Sequence, residues 1–166
     1  MDRQIVEVPD FSYRDVEEAW DRLRDKLAPI PVVQSYYLGG PLSGVDDGRE
    51  YFFKLESMQR AKSFKIRGAL NKMLSLTPEE LGRGVGTISS GNHGSSVAYA
   101  GQMLGVSPIV IVPRPCPQSK QDKIRYFGGT CLAMGENYDE AHAQGMDYLN
   151  ERGLTYIDAY YDDPKI

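Results

Sequence analysis

Apolar and polar positions alternate along the chain in two rhythms. From Ser12, the residues Val16, Ala19, Trp20, Leu23 and Leu27 recur at helical spacing, which predicts an amphipathic helix with that face in a core, ended by Pro29 and Pro31. Residues 51–56 read as a strand, followed by a helix over 63–75 that turns Ile66, Leu70, Met73 and Leu74 inward. Thr77-Pro78-Glu79-Glu80 opens a short helix, with proline at its first position and glutamate at the capping-box site. From Gly84 the rhythm becomes regular: strands at 85–89, 109–112, 130–134 and 155–157 alternate with helices at 94–104, 118–126 and 138–152. Such alternation predicts an α/β fold, a parallel sheet flanked by helices. The change of rhythm at Gly82-Arg83-Gly84 is the expected domain boundary, dividing the chain into 1–83, 84–160 and a terminal 161–166.

Composition narrows the function classes. The chain has 166 residues, 41% hydrophobic and 25% charged, which excludes a disordered or fibrous protein. A net charge of −4 supplies no global field for nucleic acid or an anionic membrane. The start, Met1 to Val6, has no apolar stretch, and the longest apolar run, 109–112, is far too short to span a bilayer, so a cytoplasmic protein is expected. Cys116, Cys131, His93 and His142 do not form a closely spaced zinc cluster; no metal site is expected, and both thiols read as reduced.

Ligands of open α/β sheets sit beyond the carboxyl ends of strands, and two junctions there carry candidate chemistry. The first is Ser63-Phe64-Lys65-Ile66-Arg67-Gly68-Ala69, within a stretch where Lys54, Arg60, Lys62, Lys65, Arg67 and Lys72 outnumber Glu56. On composition alone this is a solvated basic helix face; an amine flanked by Phe64 and Ile66 at a helix start is also the setting of a carbonyl-reactive lysine. The second is Ser89-Ser90-Gly91-Asn92-His93-Gly94, where glycines let the backbone approach a ligand and a helix N-terminus offers N–H groups to an anion. A polar turn with a cap is the plainer reading of that segment. Rival motifs fail: Gly82-Arg83-Gly84-Val85-Gly86 precedes its strand and lacks the third glycine of a dinucleotide fingerprint, and no Gly-Lys-Ser/Thr is present. Gly94-Ser95-Ser96-Val97-Ala98 misses the last glycine of a nucleophile elbow, which leaves His142 without a serine to serve.

Taken in order, Lys54-Leu55-Glu56-Ser57-Met58-Gln59, the Lys65 segment and the Ser89 to Gly94 segment closely resemble the serine/threonine dehydratase and serine racemase branch of the fold-type II pyridoxal-phosphate enzymes. The resemblance runs from about Pro29 to Pro164. It implies that 1–83 is the N-terminal part of a large cofactor-binding domain, 84–160 a small domain bearing the substrate loop, and 161–166 a truncated return to the large domain. The implied cofactor is pyridoxal 5'-phosphate. Lys65 matches the lysine that carries the cofactor covalently and shuttles the α-proton, and Phe64 matches the residue that packs by the cofactor ring. Asn92 matches the asparagine that hydrogen-bonds the cofactor's phenolic oxygen. Ser89, Ser90, Gly91, Asn92 and His93 match the loop that grips the substrate carboxylate, and in racemases of this branch the serine at Ser90 also acts as an acid/base on the opposite face.

The chain departs from the family at Ile30, where threonine is frequent, and at Lys62, a position usually small or apolar. Family members are also roughly twice as long, and the missing part would supply the phosphate cup and the partner of the pyridine nitrogen. The implied activity is β-elimination from serine or threonine to a 2-oxo acid and ammonia, by a chain that is a fragment or one half of an enzyme and is inactive alone. The implied partners are a small amino-acid substrate and either a homo-oligomer or the missing C-terminal half, with no nucleic acid or membrane. The alternative is a non-catalytic amino-acid-binding remnant or regulatory module.

Overall fold

A computed structural model describes residues 12–39 and 49–159. Helix α1 (Tyr13–Leu23) is followed by a two-stranded antiparallel ribbon, β1 (Val32–Gln34) with β2 (Phe52–Lys54), in which Val33 faces Phe53. A 3-10 turn at Glu56–Met58 leads to α2 (Lys65–Leu74) and the short α3 (Pro78–Gly82). Then come β3 (Val85–Ile88), α4 (Asn92–Leu104), β4 (Ile109–Val112), α5 (Gln118–Tyr126), β5 (Thr130–Ala133), α6 (Tyr138–Glu151) and β6 (Thr155–Tyr156). The last four strands form one parallel sheet in the order β5-β4-β3-β6. This is the parallel α/β arrangement that the alternating rhythm predicts.

The strand pleat sends successive side chains to opposite faces, and each face acquires its own helices. Val85, Val110 and Val112 face α2, α4 and α5, in cores that also hold Ile66, Leu70, Val97 and Ile124. Ile88 and Ile111 face the other way, against Leu149 of α6. Gly86 points the same way, and a Cβ there would collide with the Leu149 side chain, so this glycine lets α6 lie close on the sheet. Its place in the glycine run is therefore explained by packing. Ile66, Leu70 and Met73 share a core with Val85, Val97 and Ile157, so residues from both sides of 83/84 contribute to it.

Several expectations need correction. Helix α1 stops at Leu23, with only a loose turn continuing to Leu27. Leu23 and Leu27 are buried, but Val16 and Trp20 are 45% and 56% exposed, because among the described residues only the end of α1 packs on α2. The strand before Lys65 is shorter than 51–56 and lies outside the parallel sheet, and residues 55–64 separate it from α2. Helix α4 starts at Asn92, not Gly94, because Gly91 takes the extended N-cap conformation. Asn92 and His93 thus belong to a helical first turn. The expected return at 161–166 lies outside the described residues. No helix among the described residues is long and apolar enough to cross a membrane.

Candidate active site

From β3 the chain builds β4 and β5 on one side and then returns to add β6 on the other. The strand order therefore reverses at β3, which makes the carboxyl end of β3 the switch point where a crevice is expected. A cavity of about 950 Å³ opens there. Its wall includes all seven residues singled out from the sequence: Phe64, Lys65, Ser89, Ser90, Gly91, Asn92 and His93. Segments 24 residues apart in the chain thus meet across one space, because α2 and α4 pack against each other with their N-terminal ends side by side.

On the α2 side, Arg67 holds the approach to the helix. Its guanidinium donates to Glu56 Oε1 at 2.8 and 2.9 Å, and Lys54 Nζ stands 3.7 Å from the same oxygen. The basic stretch is therefore not a single solvated face: Arg60 lies over the Tyr99 ring at 5.7 Å, and Lys65 turns into the cavity wall. Lys65, at the first position of α2, is half-buried and donates from Nζ to the Ala159 carbonyl at 3.1 Å. Its ammonium is 5.6 Å from the centre of the Phe64 ring, which is 60% exposed and so has a face open to a ligand. Lys62, three residues before Lys65, has φ +63°, the left-handed region that a glycine would occupy without strain.

The opposite rim is the turn from β3 into α4. Ser89 N–H donates to the Ile111 carbonyl at 2.9 Å, and Ser89 Oγ accepts from Gly91 N–H at 3.2 Å, which fixes the turn. A Cβ on Gly94 would stand 2.5 Å from the Ser89 carbonyl oxygen, so only glycine lets α4 start this close to the strand. The helix has no side-chain cap, leaving the N–H groups of its first turn for an anion in the cavity. Gly91 and Asn92 are exposed and Ser90 is half-buried, whereas His93 is buried at 3% exposure. Burial pushes the His93 pKa below its ordinary 6.5, the hydrogen bond to the Ile157 carbonyl opposes that, and the Lys65 charge adds to it.

Other wall residues lie outside the two candidate segments, and His142 among them is a residue the motif reading set aside. Tyr138, Asp139 and His142 come from the first turns of α6, and Tyr156 and Asp158 from β6 and its exit. The His142 ring lies 6.0 Å from that of Tyr138 and 6.4 Å from that of Tyr156, forming an aromatic wall. The rule that ligands lie beyond strand ends points to these positions too, since they follow β5 and β6. Nothing local marks them, because their chemistry is ordinary for helix and strand termini. Among the described residues no group of three His, Cys, Asp or Glu side chains is arranged to hold a metal, and Cys116 and Cys131 are free thiols whose pKa values burial raises.

The structure is thus an open parallel α/β sheet with a primary amine on one lip of its switch-point crevice and an uncapped helix N-terminus on the other. The chain belongs to the pyridoxal-phosphate dependent enzyme family, whose model matches residues 23–166. It is 37% identical over 154 residues to an L-threonine ammonia-lyase of Geobacter sulfurreducens, covering 93% of this chain and 37% of that protein. Among solved structures, a pyridoxal 5'-phosphate-dependent aspartate racemase superposes with a TM-score of 0.83 at 34% identity, covering 95% of this chain and 48% of that one. Maize serine racemase superposes with a TM-score of 0.82 at 29% identity, covering 93% and 46%. The fold is that of the fold-type II pyridoxal-phosphate enzymes, and the chain spans less than half the length of these relatives.

The wall fits part of that cofactor. The Lys65 amine suits its carbonyl and the exposed Phe64 ring suits its ring, while the α4 N-terminus suits the carboxylate of an amino acid rather than a group of the cofactor. A dianionic phosphate is less well served, because Asp139 and Asp158 line the same cavity.

Proposed function

We propose that this chain forms the lysine-bearing and carboxylate-binding side of an ammonia-lyase acting on serine or threonine, with a 2-oxo acid and ammonia as products. The observation that carries the reading is the Lys65 amine held on one lip of a cavity whose other lip is the Ser89 turn and the N-terminus of α4. When bound, pyridoxal phosphate supplies an electron sink for the bond broken at the substrate α-carbon. Lys65 would take the α-proton and hold it at Nζ, and Phe64 would flank the cofactor ring. Asn92, on the rim of the cavity, would help hold the cofactor through its side-chain amide. The Ser89 to His93 turn grips the substrate carboxylate, fixing which bond stands perpendicular to the ring; this is an orientation effect. Ser90, across the cavity from Lys65, would exchange the second proton at the α-carbon if racemisation accompanies elimination.

The phosphate donors belong, in this reading, to polypeptide beyond the matched segment, either in continuation or in a partner. Coverage of only 37% of the Geobacter relative supports this, as do the two aspartates in the wall. The reading includes a cytoplasmic location, which accords with two free thiols.

Treatment with pyridoxal phosphate and borohydride, followed by peptide mapping, is expected to label Lys65. Label on Lys62 or Lys54 with Lys65 unmodified overturns the assignment. Alone, the chain is expected to form negligible 2-oxo acid from either amino acid; supplying the remaining polypeptide should restore it. A complete assembly that binds serine without turnover would favour the amino-acid-binding module.

A further inference from the structure

The β6 exit, residues 157–159, ties the two lips of the cavity together through its carbonyls. Ile157 N–H donates to the Gly86 carbonyl at 2.8 Å. The Ile157 carbonyl lies 2.8 Å from Thr87 Oγ1, which donates to it, and 3.0 Å from His93 Nε2. Two residues further on, the Ala159 carbonyl accepts from Lys65 Nζ. Thr87 is fully buried and His93 nearly so, which leaves this clamp shielded from water.

A carbonyl oxygen only accepts, so His93 must carry its proton on Nε2. His93 Nδ1 is buried and has no hydrogen-bond partner, and a second proton there would leave a buried N–H without an acceptor. The imidazole is thus confined to one neutral tautomer, in keeping with the downward push of burial on its pKa.

We propose that His93 is a positioning residue for Lys65: as the neutral Nε2–H tautomer it pins, with Thr87, the Ile157 carbonyl, and so fixes the 157–159 strap against which the Lys65 amine is held. This rests on the reading of Lys65 as the reacting amine. It gives the imidazole a role distinct from the carboxylate grip, because its donor is spent on the strap. It also links the Ser89 rim mechanically to the lysine, so that a shift of one lip is felt at the other.

The test needs no cofactor. The 166-residue chain, with Thr87→Val, His93→Leu and His93→Gln variants, is acetylated at a limiting dose, and Lys65 modification is measured against Lys54 and Lys62 by mass spectrometry. Thr87→Val and His93→Leu are expected to raise the relative reactivity of Lys65 by about threefold or more, the scale of one lost hydrogen bond. His93→Gln, which retains a donor, should lie nearer the unmodified chain. Nitrogen-15 spectra should show the His93 proton on Nε2. Unchanged Lys65 labelling in a cooperatively unfolding Thr87→Val chain, or a proton on Nδ1, overturns the proposal. If His93→Leu does not fold, Thr87→Val decides. Failure of borohydride labelling beside the expected acetylation pattern would strike the reading of Lys65 and leave the strap standing.

Discussion

The two β-structures of this chain are built from similar residues and meet opposite fates. In the ribbon, Val32, Val33, Phe52 and Phe53 are between 42% and 59% exposed, whereas every residue of β3, and all of β4 except the half-buried Ile109, is buried. The four-stranded sheet has both faces covered, by α4, α5 and α6 from the intervening sequence and by α2 from before it. The ribbon pairs two short strands across 17 residues of intervening chain and, among the described residues, buries neither of its faces. Apolar, β-branched and aromatic composition makes a strand, but burial requires a partner layer. The sheet therefore has a core on each face, one of them shared with α2, and the ribbon presents apolar surface of the kind that marks an interaction site.

The sharpest test of this contrast pairs two truncations. Ile111→Ala, at a fully buried position between Ile88 and Leu149, is expected to cost about 2–5 kcal/mol in denaturant unfolding. Phe53→Ala, at a site 46% exposed, should cost less than about 1 kcal/mol. Equal losses would mean that the ribbon is covered in solution, by a second copy or another partner. Gly86→Ala comes next, at about 1–3 kcal/mol, because the new methyl meets Leu149; a neutral result would show that α6 can lift from the sheet.

Acid should unsettle the sheet region before the exposed helix ends. Since the folded state lowers the His93 pKa, the unfolded chain binds that proton more readily. The stability it contributes is present above the ordinary value of 6.5 and is lost as pH falls from there toward the folded value. Asp15 and Glu80 are held below 3.8 and 4.5 by hydrogen bonds from Ser12 and Thr77, so their contributions fade only in stronger acid. Thermal melts of the chain and of His93→Leu between about pH 7 and about pH 5 should show a fall that the variant flattens. Parallel curves would assign the loss to other groups.

The smallest expected effect is Lys62→Gly. It removes a left-handed non-glycine residue and a charge near Lys123, whose pKa burial and Lys62 both depress. Against this stands the greater chain entropy of glycine, for a net gain of at most about 1 kcal/mol. A loss of stability would show that the Lys62 side chain makes compensating contacts.

The periodicity of 118–126 and 109–112 matches α5 and β4 residue for residue, since both elements are specified by local spacing and sharp turn residues. The Thr77 capping box forms as its spacing predicts, with Thr77 Oγ1 accepting from Glu80 N–H at 3.2 Å. The candidate residues around Lys65 and Asn92 were legible because each lies in a contiguous run whose chemistry is unusual for a turn. The pairing of β1 with β2 and the exposure of Val16 and Trp20 were not legible, because both depend on which surfaces meet. The same holds for the aromatic wall of Tyr138, His142 and Tyr156, three ordinary residues gathered by α6 and β6. The sequence by itself determined most of the elements, their parallel α/β class and the two candidate segments, all of which follow from spacing within a few residues. Only the tertiary structure decided that β6 lies beside β3, and hence where the crevice opens and which carbonyls hold Lys65 and His93, because strand order is set by long-range packing that local periodicity does not encode.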